Sequence, residues 1–345
     1  MAEEFRNYLD HIAEGNNLNE KQAQDALFQI VRGEVNEAQT AAFLFGMRQK
    51  GETIDELSSF VKVMRKAAVK VDVNADGAVD LCGTGGDHSG TFNISTAAMF
   101  VVAGAGIPVL KHGNRSISSQ CGSADVLEEL GVKPDLDAVS VAECYNQTGM
   151  AFMFAPLFHP AMKYVMPARR NLGIRTFFNI LGPMLNPAEV KRQVVGAFNL
   201  ETASIVIQIL SKLDTKRAFT VNSDDGLDEF STTALSNVFE LKNNVHGEAI
   251  RFDGRNYGIK RVSLDDLKGG NREKNAKIIE AVISGKASEA QTDIVVLNAA
   301  FGVLASGKAG IFEDALEMAS ESIQNGSAHK KLNQFKTCTQ DVAAS

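Results

Sequence analysis

The strongest constraint on this fold lies between residues 79 and 130. Two short apolar runs there each give way to a polar, glycine-bearing loop and then to a helical pattern. Val79–Cys82 (VDLC) leads into Gly83-Thr84-Gly85-Gly86-Asp87 and a helix beginning near Ser95. Ile107–Lys111 (IPVLK) leads into HGNRSISSQCG and the helix SADVLEEL. VVGAF (194–198) and AFTVN (218–222) read as further strands. Alternating strands and helices imply an α/β fold with a central, mostly parallel sheet covered by helices on both faces. In open sheets of this kind ligands bind beyond the carboxyl ends of the strands, which is where both loops emerge.

The first 70 residues follow a different rule. Asn19 caps a helix whose apolar face is Ala23, Ala26, Leu27, Ile30 and Val31, and Gly33 stops it. Asn36 opens the next helix, apolar nearly all round up to Phe45 and therefore expected to be buried between neighbours. Thr53 and Glu56 form a capping box for a third, carrying Leu57, Phe60, Val61 and Met64. This is a small all-helical domain or an interface. From Ser320 onward the chain reads as a polar helix followed by a frayed tail.

Composition narrows the class of function. The net charge of −7 argues against nucleic-acid binding through the phosphate backbone. It leaves room for a small phosphorylated ligand held by local cations. Cys82, Cys121, Cys144 and Cys338 are widely spaced with no CxxC, so neither a zinc site nor a disulfide framework is expected. The N-terminus lacks the apolar run of a signal peptide. The longest apolar stretch, Ala97–Leu110, is 14 residues with two glycines and a proline, too short to span a bilayer. A cytoplasmic protein without membrane contact is the expectation.

Four elements can carry chemistry. In the first loop three glycines let backbone amides turn toward an anion, and the helix start beyond adds free N–H groups, with donors from Asn93, Ser95 and Thr96. Asp87 would repel phosphate and suits sugar hydroxyls or loop amides better. A strand-to-helix turn that binds nothing has the same look, and the spacing is neither a Walker A nor a dinucleotide fingerprint. The second loop sends out Lys111 and Arg115 with several hydroxyls, a mixture suited to several phosphate oxygens. Asp228-Glu229, just past a strand, suit a hard cation such as magnesium, although a solvated acidic loop looks alike. Arg169 is a natural carboxylate clamp, but composition does not separate it from Arg170 or Arg175.

These segments resemble the anthranilate phosphoribosyltransferase family. The likeness runs through FLFGMRQKGETIDEL, GTGGD with TFNIST, KHGNRSISSQCGSADVLE, HPAMKYVMPARRNLGIRTFFNILGPMLNP and GLDE, nearly the whole chain. It implies transfer of the phosphoribosyl group of 5-phosphoribosyl 1-diphosphate to the amine of anthranilate, in tryptophan biosynthesis. It implies a helical domain over 1–70, joined by a helical segment near 165–185, and a donor-binding α/β domain over 71–345, commonly as a homodimer.

The resemblance also assigns residues. The diphosphate donor would be held by Gly83, Gly86, Asp87, Thr91, Asn93, Ile94, Ser95, Thr96, Lys111, His112, Gly113, Asn114, Arg115, Ser116, Ile117, Ser118, Ser119 and Ser123. Anthranilate would be held by Gly83, Asn114 and Arg169, and magnesium, two ions per subunit, by Ser95, Asp228 and Glu229. No side chain is expected to act as an essential base. One departure is His88, where a small residue is expected. GTGGD is shared with pyrimidine nucleoside phosphorylases of the same fold, but the second strand here ends in KHGNR rather than in their KxSGR type. A non-catalytic nucleic-acid-binding paralogue should have lost motif residues and gained basic surface, and this chain has done neither.

Overall fold

The computed structural model describes residues 2–115 and 121–344, so the second loop's Ser116, Ile117, Ser118 and Ser119 lie outside the described residues. The chain opens with helices α1 (Ala2–Ala13), α2 (Glu20–Val31), α3 (Glu37–Lys50) and α4 (Ile54–Ala67). Three of them start where a local side chain satisfies a free amide. Asn19 accepts from Gln22 N–H, Asn36 from Gln39 N–H and Thr53 from Glu56 N–H. Glu56 does more than close its capping box. Its fully buried carboxylate pairs with Lys50 at 2.9 Å and accepts Leu18 N–H at 2.8 Å, tying α4 to the α1–α2 turn.

Helix α3 departs from expectation. Its buried residues are Thr40, Phe43, Leu44 and Met47, while Phe45 is 52% exposed. The helix is covered from one side, because its neighbours α1 and the helical turn of residues 166–172 leave the face carrying Phe45 open. Residues near 165–185 enter the helical core. Phe177 stacks on Phe60 with ring centroids 4.6 Å apart and meets Phe43 edge-on at 6.4 Å.

The strands are β1 (Asp80–Gly83), β2 (Val109–Gly113), β3 (Met150–Phe154), β4 (Arg192–Gly196), β5 (Arg217–Ser223), β6 (Ser236–Lys242), β7 (Val245–His246) and β8 (Ile250–Phe252). β1, β4 and β5 pair in parallel, as do β2 and β3, and a parallel bridge between Val79 and Val109 joins the two groups. The order β3-β2-β1-β4-β5 is the mostly parallel centre that the alternation implies. An antiparallel edge of β6, flanked by β7 and β8, extends it.

The remaining helices are α5 (Ile94–Gly104), α6 (Ser123–Glu129), α7 (Ala138–Thr148), α8 (Ala155–Phe158), α9 (Met166–Leu172), α10 (Phe178–Leu181), α11 (Leu200–Ser211), α12 (Arg272–Ile283), α13 (Glu289–Ser306), α14 (Phe312–Gln324) and α15 (Ser327–Ala344). They cover both faces of the sheet. Strand alternation sends Val194 and Phe219 into the core shared with α5 and α13, and Val195 and Ala218 into the one shared with α11 and the N-terminal helices.

The C-terminus also differs from expectation. Instead of fraying, α15 runs to Ala344 and buries Ala328, Leu332, Phe335, Cys338 and Val342. A narrow apolar stripe suffices to dock it beside α5 and α7. Among the described residues no helix is long and apolar enough to cross a membrane.

Candidate active site

The site forms where β1, β2 and β5 end. Three hydrogen bonds from backbone amides tie the β1 loop to the segments that follow β4 and β5. Thr84 N–H donates to Gly196 O at 2.9 Å, Gly85 N–H to Asp228 Oδ2 at 3.0 Å, and Phe198 N–H to the Thr84 hydroxyl at 3.1 Å. Gly196 and Gly83 are required here by close approach. A Cβ on Gly196 would stand 1.5 Å from Asp228 O, and one on Gly83 would stand 2.7 Å from Asp228 Oδ2. Asp228-Glu229 therefore lie directly over the last residues of β4 and β1.

Ser95 meets Glu229, whose neighbour Asp228 lies against Gly83 and Gly85. Glu229 Oε1 accepts Ser95 N–H at 3.1 Å, near the start of α5. Lys111, 2% exposed, donates to Leu81 O and stands 3.4 Å from the Ser95 hydroxyl. Burial and the charge of Asp87 raise the Asp228 carboxyl above the usual range. Burial and Asp228 do the same to Glu229, with Lys111 opposing. Carboxylates gathered beside a hydroxyl are hard oxygen donors, and a divalent cation would relieve their repulsion. Among the described residues no three His, Cys, Asp or Glu side chains form a ready metal cage. A magnesium ion here would complete its shell with Ser95, water and substrate oxygens, as magnesium at phosphate sites commonly does.

Beneath Lys111 lies a polar group that motif reading missed. Asp80, fully buried, accepts Asn186 Nδ2–H at 2.9 Å and His112 N–H at 3.3 Å, and Asn186 also donates to Leu110 O at 2.8 Å. Burial pushes the Asp80 carboxyl up to about 6, with Lys111 opposing. This group fixes the end of β2, from which Lys111 projects. The only signal for Asn186 in the sequence is its place in GPMLNP.

The other expected residues divide. Ile94 and Thr96 are buried, leaving backbone amides as their means of reaching a ligand. The buried His112 ring lies against His159 with centroids 5.1 Å apart, and burial lowers its pKa to about 3, so it is neutral near pH 7. Arg115 faces α6, paired with Asp125 at 2.8 Å and Glu128 at 2.9 Å. Ser123 donates to Asn114 O at 3.2 Å. Thr91 sits in a bridge with Lys268, and the Gly86 carbonyl accepts from Arg175. His88 has φ 55°, the left-handed region where glycine or asparagine is favoured, which explains the expectation of a small residue.

The three arginines separate. Arg169 is half-buried, lies 5.4 Å over the Phe178 ring and reaches Asn179 Oδ1 at 3.4 Å. Arg170 is exposed. Arg175 lies 4.4 Å over the Phe198 ring and 3.3 Å from Gly86 O, so it braces the first loop. Among the described residues no contact joins Arg169 to Gly83 or Asn114.

Comparison with known proteins agrees with this geometry. Residues 75–329 match the model of the glycosyl transferase family a/b domain, and residues 6–68 that of its helical bundle domain. The anthranilate phosphoribosyltransferase of Salinibacter ruber is 45% identical, covering 97% of this chain and 98% of its own. That of Pelotomaculum thermopropionicum is 46% identical, covering 98% of each. The crystal structure of the Thermus thermophilus enzyme superposes with a TM-score of 0.91 at 34% identity, covering 96% of this chain and 99% of its own. The Saccharomyces cerevisiae enzyme in complex with PRPP and Mg superposes at 0.89 and 25% identity, covering 98% of each. A chain this similar over its full length to such enzymes, with the glycine loop, Lys111 and Asp228-Glu229 converging at the strand ends, belongs to the anthranilate phosphoribosyltransferase family.

Proposed function

We infer that this protein transfers the phosphoribosyl group of 5-phosphoribosyl 1-diphosphate to the amine of anthranilate, forming N-(5-phosphoribosyl)anthranilate and diphosphate, in tryptophan biosynthesis. The observation that carries this reading is the joining of the Gly83–Asp87 loop, the α5 start, Lys111 and Asp228-Glu229 by hydrogen bonds at the strand ends. The direct test follows the native fluorescence of anthranilate in the presence of both substrates and magnesium, with chelator as control. Loss of emission that needs every component is the expected result. No loss from folded protein would overturn the reading.

The residues suit the charge changes of the reaction. As the C1–O bond to diphosphate breaks, its electron pair leaves with diphosphate and positive charge develops on the ribose ring. Free amides of the glycine loop and α5 bind the phosphates, and Lys111 places a fixed positive charge behind Ser95. Magnesium, when bound, neutralises charge on the leaving diphosphate. We assign it to Ser95, Asp228 and Glu229, with two ions per subunit as the stoichiometry to be counted by metal titration. The amine of anthranilate is neutral at pH 7 and attacks C1 directly, releasing its proton after the C–N bond forms. No base is required, and His112, buried and neutral, is unsuited to be one.

Donor contacts remain assigned to the residues named from the family motifs, and anthranilate to Gly83, Asn114 and Arg169. Arg169 is favoured over its neighbours because it is half-buried and held on Phe178. Arg169→Ala is expected to raise the KM for anthranilate by roughly 10–100-fold, the loss of a charge-assisted carboxylate contact, and to leave that for the donor nearly unchanged. Arg170→Ala is the control. Equal effects from both substitutions would remove the assignment.

We further propose that the helical unit of residues 1–70 and 165–185 carries the acceptor side of the cleft and, through the open face of α3, a homodimer interface. Phe45→Asp is expected to give folded monomers in light scattering. Ala26→Asp is expected to unfold the unit instead, since Ala26 is fully buried. A wild-type monomer, or a dimeric Phe45→Asp variant, would rule this interface out. The cytoplasm is the compartment this chemistry and four cysteines held outside any disulfide fit.

A further inference from the structure

Asn93 occupies the N-cap position of α5, where an asparagine ordinarily accepts a hydrogen bond from an amide of the first turn. It makes no such bond. The Ser95 amide is taken by Glu229, and the Asn93 side chain turns away from its own helix. Its Nδ2 donates to Cys121 O at 3.0 Å, and its Oδ1 accepts from Asn275 Nδ2 at 2.9 Å. Asn275, only 2% exposed, in turn accepts Gly270 N–H at 2.8 Å through Oδ1. The polarity of this relay is fixed at both ends. The Gly270 N–H can only donate and the Cys121 carbonyl can only accept, so each carboxamide has one allowed orientation.

The relay joins three pieces of chain far apart in sequence. Cys121 stands at the end of the second loop, Asn93 follows the first, and Gly270 belongs to a strip that runs along residues 90–92. Gly269 N–H donates to Gly90 O at 3.0 Å, Phe92 N–H donates to Leu267 O at 3.2 Å, and Thr91 bridges Lys268. Asn275 lies on the buried side of α12 with Ala276, Ile279, Val282 and Ile283. A polar residue there is costly unless satisfied, and its partners here are the Gly270 amide, the side chain of Asn93 and the Cys121 thiol.

We propose that Asn275 is a positioning residue for the phosphoribosyl-diphosphate site, acting through Asn93. It holds the Asn93 carboxamide off the start of α5, so that Thr96 N–H, the first-turn amide taken by neither Phe92 O nor Glu229, stays available to an anion, and the segments bearing Asn93 and Cys121 keep a fixed spacing. This rests on the function proposed above. Without Asn275, the Asn93 Oδ1 loses its donor and is free to take the ordinary N-cap bond from Thr96 N–H, where it competes with the diphosphate donor.

The test compares steady-state kinetics of wild type, Asn275→Ala, Asn275→Asp, Asn93→Ala and the Asn93→Ala/Asn275→Ala double variant with both substrates and magnesium. Asn275→Asp keeps the shape but sets lone pair against lone pair along the relay. For both Asn275 variants the KM for 5-phosphoribosyl 1-diphosphate is expected to rise roughly tenfold or more, the equivalent of one unsatisfied buried group. The KM for anthranilate should stay within about twofold, and the double variant should lose no more than Asn93→Ala alone. A donor KM unchanged in a folded Asn275 variant, equal rises in both KM values, or additive losses in the double variant would each overturn the proposal. If Asn275→Ala does not fold, Asn275→Asp decides by the same criteria; if neither folds, the residue is structural and the proposal is wrong. Absence of turnover in wild type itself would instead sink the assigned reaction, and this inference with it.

Discussion

Replacing Gly196 with alanine should remove a large part of the fold's stability and nearly abolish turnover, although the change is one methyl group at the end of a strand. The new Cβ would meet Asp228 O at 1.5 Å and Asp228 C at 2.5 Å, and both are backbone atoms that no rotamer change can remove. Overpacking by one methylene in a core costs about 1–3 kcal/mol when side chains can adjust. Here the main chain must move, so a loss of ~3 kcal/mol or more is expected. The displacement would fall on the Asp228-Glu229 turn, which is tied to Gly85 N–H and Ser95 N–H, so it would pass straight into the site. Thermal unfolding and initial rates read the two effects separately. Gly310→Ala is the control, since nothing lies within 4 Å of its Cβ position and its φ is ordinary. A Gly196→Ala enzyme with wild-type Tm and rate would show that Asp228-Glu229 do not sit on β4 in solution.

The residues that sequence reading found and those it missed differ in how far away their partners are. The caps at Asn19, Asn36 and Thr53 bond to amides three residues on, so their role is visible locally. β1 and β2 were legible because an apolar run stopped at glycine and polar residues. The one-sided burial of α3 is not legible, because apolarity all round does not reveal which side has a neighbour. α15 was underestimated, although Leu332, Phe335, Cys338 and Val342 repeat at helical spacing within an otherwise polar segment. Asn186 and Asn275 were invisible for a different reason. Asn186 reaches Asp80, 106 residues away, and Asn275 reaches Asn93, 182 residues away, and no local pattern encodes such a pair.

Glu229→Gln should make the protein more stable and much less active. The substitution preserves shape and leaves an oxygen to accept Ser95 N–H, so the α5 start keeps its partner. It removes a charge that burial and Asp228 disfavour in the folded state. Relief of that repulsion should raise Tm by on the order of 2 °C for each kcal/mol recovered. The pH dependence follows from the direction of the shift. The folded state holds the Glu229 proton at pH values where the unfolded chain, with an ordinary glutamate pKa of about 4.3, has lost it. Stability from this group is therefore full below that value and declines as pH rises through the raised folded pKa. Wild type without metal should lose Tm between pH 5 and 8 more steeply than the variant, with Asp228 contributing the remainder. Magnesium should restore Tm to wild type at the alkaline end by mass action and do so far less in Glu229→Gln. Turnover should fall by about 100–1000-fold, the usual loss when a fixed electrostatic element of a transition state is removed. Parallel Tm curves for the two proteins, with and without magnesium, would mean that Glu229 neither carries the strained charge nor holds the metal.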